Sequence, residues 1–258
     1  MPQLDTNYIR SILYHDPIWS VYALADLQPP FAEWSHWYVG ESADGPGVVL
    51  LYSGLEPPIL MTVGSVDAVE QALAQILLPD EVFMSAREEH LPLLQKRYEF
   101  GGHVEPMTRM VLNDEAKLLM PVLPDLRRLT QADSEKLRQL YANGGPFTPG
   151  FFDPYMLDDG VFFGILDQHD ELLAVGGTHI LNRPDQSAAI GNMYTHPQHR
   201  GNGYASAILC AIVATLRTEG MKTLVLNVDR RNAGARRIYE RHGFQMYCDY
   251  VEGTGTKK

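Results

Sequence analysis

The chain has 258 residues, 45% hydrophobic and 21% charged, enough for one large or two modest domains with buried cores. Its 21 Lys+Arg against 32 Asp+Glu leave a net charge of −11, which repels nucleic acid and anionic membrane, and no Lys/Arg run offsets it. The acidic balance suits a cationic partner such as an amine, although solubility alone accounts for it. Two cysteines, Cys210 and Cys248, are too few for a disulfide framework and lack the spacing of a zinc site, so no metal is expected. The opening MPQLDTNYIR has no positive start followed by an apolar core, and no apolar run approaches ~20 residues. A cytoplasmic location, with neither membrane nor nucleic acid as partner, is the expectation.

Apolar spacing predicts helix over residues 9–27, restarted at Asp16-Pro17 and stopped by Pro29-Pro30. Strands follow over 35–41 and 47–52, about a turn at 44–47, with a third over 59–63. Ser65 opens a helix to about 77, with Val69, Leu73, Ile76 and Leu77 on one side. A strand over 81–86, a helix over 91–100 and a strand over 107–112 complete the first half. Trp19, Trp34 and Trp37 all fall here, where packing explains them better than a ligand box. Residues 116–124, with Pro121 and Pro124, read as a stiff connector.

The second half opens with a short strand over 126–129 and a helix through Leu137, Leu140 and Tyr141, stopped at Asn143-Gly144-Gly145-Pro146. A loop or second helix over 147–160 carries Phe151, Phe152, Tyr155 and Met156. Residues 161–166 and 172–181 form a hairpin, and the strand over 188–195 leads into Arg200-Gly201-Asn202-Gly203. Tyr204 then opens a helix whose buried face is Ala205, Ile208, Leu209, Ile212, Val213 and Leu216. Glycines let the turn approach a ligand and take positive φ, and a helix start offers unpaired N–H groups. The physical reading is a phosphate or pyrophosphate cradle. A strand over 221–228, a helix capped near Asn232, a strand over 244–251 and a frayed GTGTKK tail end the chain. Alternating helices and strands after a hairpin give an α/β fold, a mixed twisted sheet with helices on both faces.

The turn also carries a resemblance. Arg200, Gly203 and Ala205 are similar to the (Arg/Gln)-x-x-Gly-x-(Gly/Ala) signature of the GNAT superfamily of acetyl-CoA-dependent N-acyltransferases, and an overlapping frame from Gln198 through Gly201 to Gly203 fits as well. Downstream, Asn232-x-x-Ala235-x-x-x-Tyr239-x-x-x-Gly243-Phe244 resembles the second signature of the family. The order of elements before residue 115 resembles a further GNAT half without its signature turn, since Thr62-Val63-Gly64-Ser65 stands where the arginine-glycine turn would be. The resemblance therefore implies a tandem GNAT-like fold: residues 1–115 as a degenerate half, 116–125 as linker, and 126–258 as the catalytic domain.

It also implies a function. Acetyl-CoA or another short acyl-CoA is the expected co-substrate, with a small-molecule or peptide amine as acceptor and the oligomeric state, a dimer included, left open. In the family the strand before the cradle splays at a bulge and its backbone pairs with pantetheine, which points to Met193, Tyr194 and Thr195. Arg200, Gly201, Asn202, Gly203, Tyr204 and Ala205 would form the cradle, and Asn232 would touch the coenzyme or merely cap its helix. Tyr239 matches the tyrosine acid of the family, protonated at neutral pH as a donor must be. Many members place a glutamate base where this chain has Gly191-Asn192, so His179 on the preceding strand is the candidate base, with Asp158 and Asp159 behind it. Two rival readings are a coenzyme-A-binding sensor without turnover and another phosphate binder, though Gly-Lys-(Ser/Thr) is missing after the glycines.

Overall fold

The computed structural model describes residues 5–101, 104–113, 115 and 126–258, so the connector expected at 116–125 lies outside the described residues. In chain order the elements are α1 (Thr6–Leu13), α2 (Val21–Ala25), β1 (Ser35–Ser42), β2 (Gly45–Tyr52), β3 (Ile59–Gly64), α3 (Val66–Leu73), β4 (Glu81–Arg87), α4 (Leu91–Gln95), β5 (Tyr98–Glu99) and β6 (Glu105–Leu112). There follow β7 (Leu126–Arg128), α5 (Ser134–Ala142), α6 (Met156–Asp159), β8 (Phe163–Leu166), β9 (Leu172–Asn182), β10 (Ser187–Thr195), α7 (Tyr204–Thr218), β11 (Thr223–Asp229), α8 (Ala233–Arg241) and β12 (Phe244–Lys257).

The chain divides into two compact units, residues 1–109 with 247–258, and residues 110–246. The division runs through β6 and β12 rather than through the connector. The end of the chain therefore belongs to the first unit, where a linear reading puts it in the second. Period-two patterning identifies a strand but not the sheet that it joins.

In the first unit the strands run β1-β2-β3-β4-β12, all neighbours antiparallel except β3 and β4, which are parallel across α3. Successive β2 residues point to opposite faces. Val48 and Leu50 pack with Ile9, Leu13, Trp19 and Leu24 on one side, while Val49 packs with Val69 and Leu73 of α3 on the other. A side chain at Gly40 would strike the backbone of Ala68, so glycine there lets α3 lie directly on the β1–β2 hairpin.

Three expectations are corrected in this unit. The α3 helix ends at Leu73, and Leu77 is 91% exposed; Ile76 is buried without being helical, which extended the apolar period past the true end. Helix α4 stops at Gln95, and residues 98–99 pair with β12 instead of continuing it. The tail is not frayed: Gly253 to Thr256 pair with Met84 to Glu81 of β4, and Thr256 and Lys257 with β5.

In the second unit the order is β11-β10-β9-β8-β7, with the last residues of β6 beside β11. Here too one pair, β10 and β11, is parallel and is crossed by a helix, α7, while β9 with β10, β8 with β9 and β7 with β8 are antiparallel. Ile208, Leu209, Ile212, Val213 and Leu216 of α7 pack on Ile190, Leu224 and Leu226. On the opposite face Leu137, Leu140, Met156 and Leu157 of α5 and α6 pack with Phe162, Val175 and Tyr194. Each unit is thus a mixed sheet with helices on both faces, as the sequence predicts. Among the described residues no helix is long and apolar enough to cross a membrane.

Because β12 is a paired strand of the first unit, a chain truncated after Glu252 should lose more than about 2 kcal/mol of stability. Equilibrium denaturation followed by Trp19 fluorescence measures this; a midpoint equal to that of the full chain would show that the tail contributes nothing.

Candidate active site

The site begins where two parallel strands part. Pairing between β10 and β11 starts at Ser187↔Thr223 and stops at Ile190↔Leu226. Yet β10 continues to Thr195 and β11 to Asp229, so their last residues form an open fork. On its other edge β10 keeps β9, but with a bulge between Gly191 and Tyr194. Asn192 sits in that bulge at φ 54, a left-handed conformation that asparagine tolerates better than most side chains do. This gives a backbone reason for asparagine where many family members have glutamate. The Tyr141 hydroxyl donates to the Asn192 carbonyl at 3.0 Å, which satisfies one of the groups that the bulge releases.

The chain leaves β10 into the cradle. His196 accepts from the Gln198 amide through Nδ1, and a short turn over Pro197–His199 brings in Arg200. Gly201 and Gly203 have φ 87 and 79, and a Cβ at either would meet nothing within 4 Å. The glycines are therefore required by backbone conformation and leave open space beside the turn. Helix α7 begins at Tyr204, with Gly203 as its left-handed cap. Among the described residues, the amides of Gly201 through Ser206 find no acceptor within the chain, the first bond into the helix being Ala207 N–H to Gly203 O. A run of exposed donors at the positive end of a helix fits a diphosphate, and the fork beside it fits an extended arm that pairs with strand backbone. Arg200 is exposed, and its Nε donates to the Thr195 carbonyl at 3.2 Å, which closes the turn. The Met193 side chain turns the other way, against Gly176 and Ile208.

His179 lies at the root of the fork. Any Cβ on Gly191 would come within 2.6–2.7 Å of three atoms of its imidazole, so the ring rests on the Gly191 backbone. Burial lowers its pKa, and a hydrogen bond with the Asn192 side chain works against that shift. The imidazole is thus held neutral and able to accept a proton. Asn192 is itself buried, its Nδ2 directed at the Met156 sulfur at 3.5 Å. Aromatic rings cover this face: Phe152 lies edge-on to Tyr141 and to Phe162, and Phe162 lies over Gly177. The lesser base candidate Asp158 accepts from Gln131 at 2.8 Å.

Tyr239 is buried on α8, edge-on to Phe244, and burial pushes its pKa up to about 12. Its phenol is therefore protonated at neutral pH. Asn232 caps α8 by accepting from the Ala235 amide at 3.0 Å, so its local role needs no ligand. Arg231 holds Asp229, at the end of β11, well below the usual carboxylate range through a hydrogen-bonded ion pair. Cys210 is buried in α7, its sulfur 3.6 Å from His242 Nδ1, and burial raises its pKa, so it is no nucleophile. Among the described residues no group of three or more His, Cys, Asp or Glu could hold a metal ion.

Residues 125–244 match the model of the Acetyltransferase (GNAT) family. The second half is a GNAT-family domain. The chain is similar to known proteins in sequence and in fold. The uncharacterized N-acetyltransferase YycN of Bacillus subtilis is 39% identical over 62 residues, 24% of this chain and 40% of that protein. The mycothiol acetyltransferase of Salinispora tropica is 34% identical over 103 residues, 38% of this chain and 33% of that protein. The chain thus spans less than half the length of these curated relatives. A solved GCN5-related N-acetyltransferase from Kribbella flavida, at 18% identity, shares the fold over 92% of this chain and 95% of its own, with a TM-score of 0.59.

The first unit repeats the fork of the GNAT domain but fills it. Pairing of β3 with β4 stops at Met61↔Ser85 although β3 runs to Gly64. Trp19 Nε1 donates to the Thr62 carbonyl at 2.9 Å, and His90 Nε2 donates to the Gly64 carbonyl at 3.1 Å while its Nδ1 meets Thr62 Oγ1 at 2.9 Å. The start of α3 is also closed, since the Ser65 amide donates to Pro46 O at 3.3 Å and its hydroxyl to Gly45 O at 2.9 Å. No glycine pair opens a cradle there. Calorimetry with coenzyme A should therefore give one site per chain, and two equivalent sites would show that Trp19 and His90 do not plug the fork. In the GNAT domain, Gly203→Val places a branched residue at positive φ, a strain of about 1–2 kcal/mol, and should weaken coenzyme A at least about tenfold. An unchanged affinity would put the diphosphate elsewhere.

Proposed function

We propose that the chain is an N-acyltransferase that moves an acetyl or short acyl group from coenzyme A to a primary amine, of a small molecule or peptide, by direct attack in a ternary complex. The open fork of β10 and β11, running straight into a cradle of unpaired amides, carries this reading. The cradle suits the diphosphate, and the edge of β10 that β11 leaves beyond Ile190 suits the pantetheine arm. An N–H near Met193 would stabilise negative charge on the thioester oxygen as it develops.

In that reaction the amine nitrogen, freed of its extra proton, attacks the thioester carbonyl carbon. The C–N bond forms, the C–S bond breaks, and the departing sulfur takes a proton. His179 is the proton acceptor on this reading, supported by its neutral state and its seat on Gly191 at the root of the fork. Tyr239 is the donor, supported by its pKa of about 12. A buried Cys210 supports direct transfer without an acyl-enzyme. Asn192 in place of a glutamate favours the second reading, a coenzyme-A sensor without turnover.

Thiol release from acetyl-CoA with a panel of primary amines separates the two, because a sensor binds and releases nothing. Tyr239→Phe should lower turnover roughly 10²-fold with little change in acetyl-CoA affinity, as removal of a general acid does; equal turnover removes Tyr239 from the chemistry. Since burial lowers the His179 pKa, its basic form persists at and above neutral pH, and the acid limb of the rate should fall below the ordinary imidazole value of about 6.5. A limb above that value, or one unmoved in His179→Gln, would assign the base to another group.

A further inference from the structure

The far end of β10 is stitched to the end of α5 at every second residue. The Asn192 carbonyl accepts from the Tyr141 hydroxyl at 3.0 Å, the Tyr194 hydroxyl donates to the Gly144 carbonyl at 2.8 Å, and His196 Nε2 lies 3.2 Å from Asn143 Oδ1. Since Nδ1 of His196 accepts from the Gln198 amide, its Nε2 carries the proton and donates to Asn143. One imidazole therefore links the Gln198 amide, in the turn that precedes the cradle, to the cap of α5. Tyr141 and Tyr194 also meet edge-on, with ring centroids 5.8 Å apart.

The segment that leaves this seam has an unusual backbone. Gly144, Gly145 and Phe147 all have positive φ, at 63, 97 and 65, and for phenylalanine that is an uncommon conformation. Phe147, Phe151 and Tyr155 are exposed, while Phe152 packs edge-on to Tyr141 and Phe162. The stretch is also tied at both ends. Tyr141, just before it, binds the Asn192 carbonyl, and Met156, just after it, receives the Asn192 amide nitrogen. Both anchors converge on the single residue at the bulge.

We infer that Tyr141 and His196 are positioning residues that join the coenzyme side of the fork to segment 144–155, so that filling the cradle stiffens that segment for the acceptor. This rests on the functional reading given above. A ligand that fixes residues 192–201 fixes the carbonyl and the imidazole that hold Tyr141 and Asn143, and the linkage is reciprocal. Coenzyme and acceptor then bind cooperatively, with the coenzyme preparing the acceptor wall.

Hydrogen exchange of the full chain, with and without coenzyme A, tests this, with calorimetry on the same samples. Coenzyme A should slow exchange in 144–155 by about fivefold or more, the usual scale of site-to-site coupling. In Tyr141→Phe and His196→Ala the coenzyme should still bind, but protection of 144–155 should be lost while that of the cradle turn persists. His196→Gln, whose side-chain amide nitrogen reaches the place of Nε2 and donates to Asn143, should restore it in part; a residue that merely supported the fold would show no such selective loss and rescue. Coenzyme binding with unchanged exchange in 144–155 of the parent chain, or full protection in both variants, overturns the inference and leaves the functional reading standing. No calorimetric binding to the parent chain overturns both.

Discussion

Everything in the second unit turns on the point where β10 and β11 cease to pair. Beyond Ile190 and Leu226 the two backbones carry groups that a continuous ladder would have used. Such groups must be satisfied by side chains, water or a ligand. The hydroxyl of Tyr141 takes the carbonyl of left-handed Asn192 at the bulge, and open space lies beside Gly201 and Gly203 in the turn that follows. The first unit has the same parallel pair, crossing helix and parting strands, yet there an indole and an imidazole take the corresponding carbonyls. One topology gives a vacant fork or a sealed one according to which side chains arrive from elsewhere in the chain.

What the sequence made legible was local. The glycine turn, the helix from Tyr204 and the Asn232 cap depend on neighbours within a few residues, and all appear where the residue types put them. What crosses between strands was not legible. That Gly191 is a floor for His179, or that Tyr141 reaches a carbonyl 51 positions away, requires register, which composition does not supply. A glycine followed by asparagine inside an apolar strand was nevertheless a usable sign of a bulge. The errors have the same origin. An apolar period ran α3 on to a solvent-facing Leu77, and a Gly/Thr-rich tail that looks like coil is held by partners far away in sequence.

Two titratable groups of the second unit are held uncharged by burial, which lowers the pKa of His179 and pushes that of Tyr239 up to about 12. Asp229, at the end of β11, is paired with Arg231, and Arg200 bonds the end of its own strand through Nε.

The placement of β12 has a bearing on biogenesis. Residues 247–257 supply a strand to the unit whose other strands are made more than a hundred residues earlier. As the chain emerges from the ribosome, β4 must wait with an unmated edge while the entire second unit is translated. The portion synthesised first is completed last, and its open edge is the stretch that a chaperone has most reason to shield.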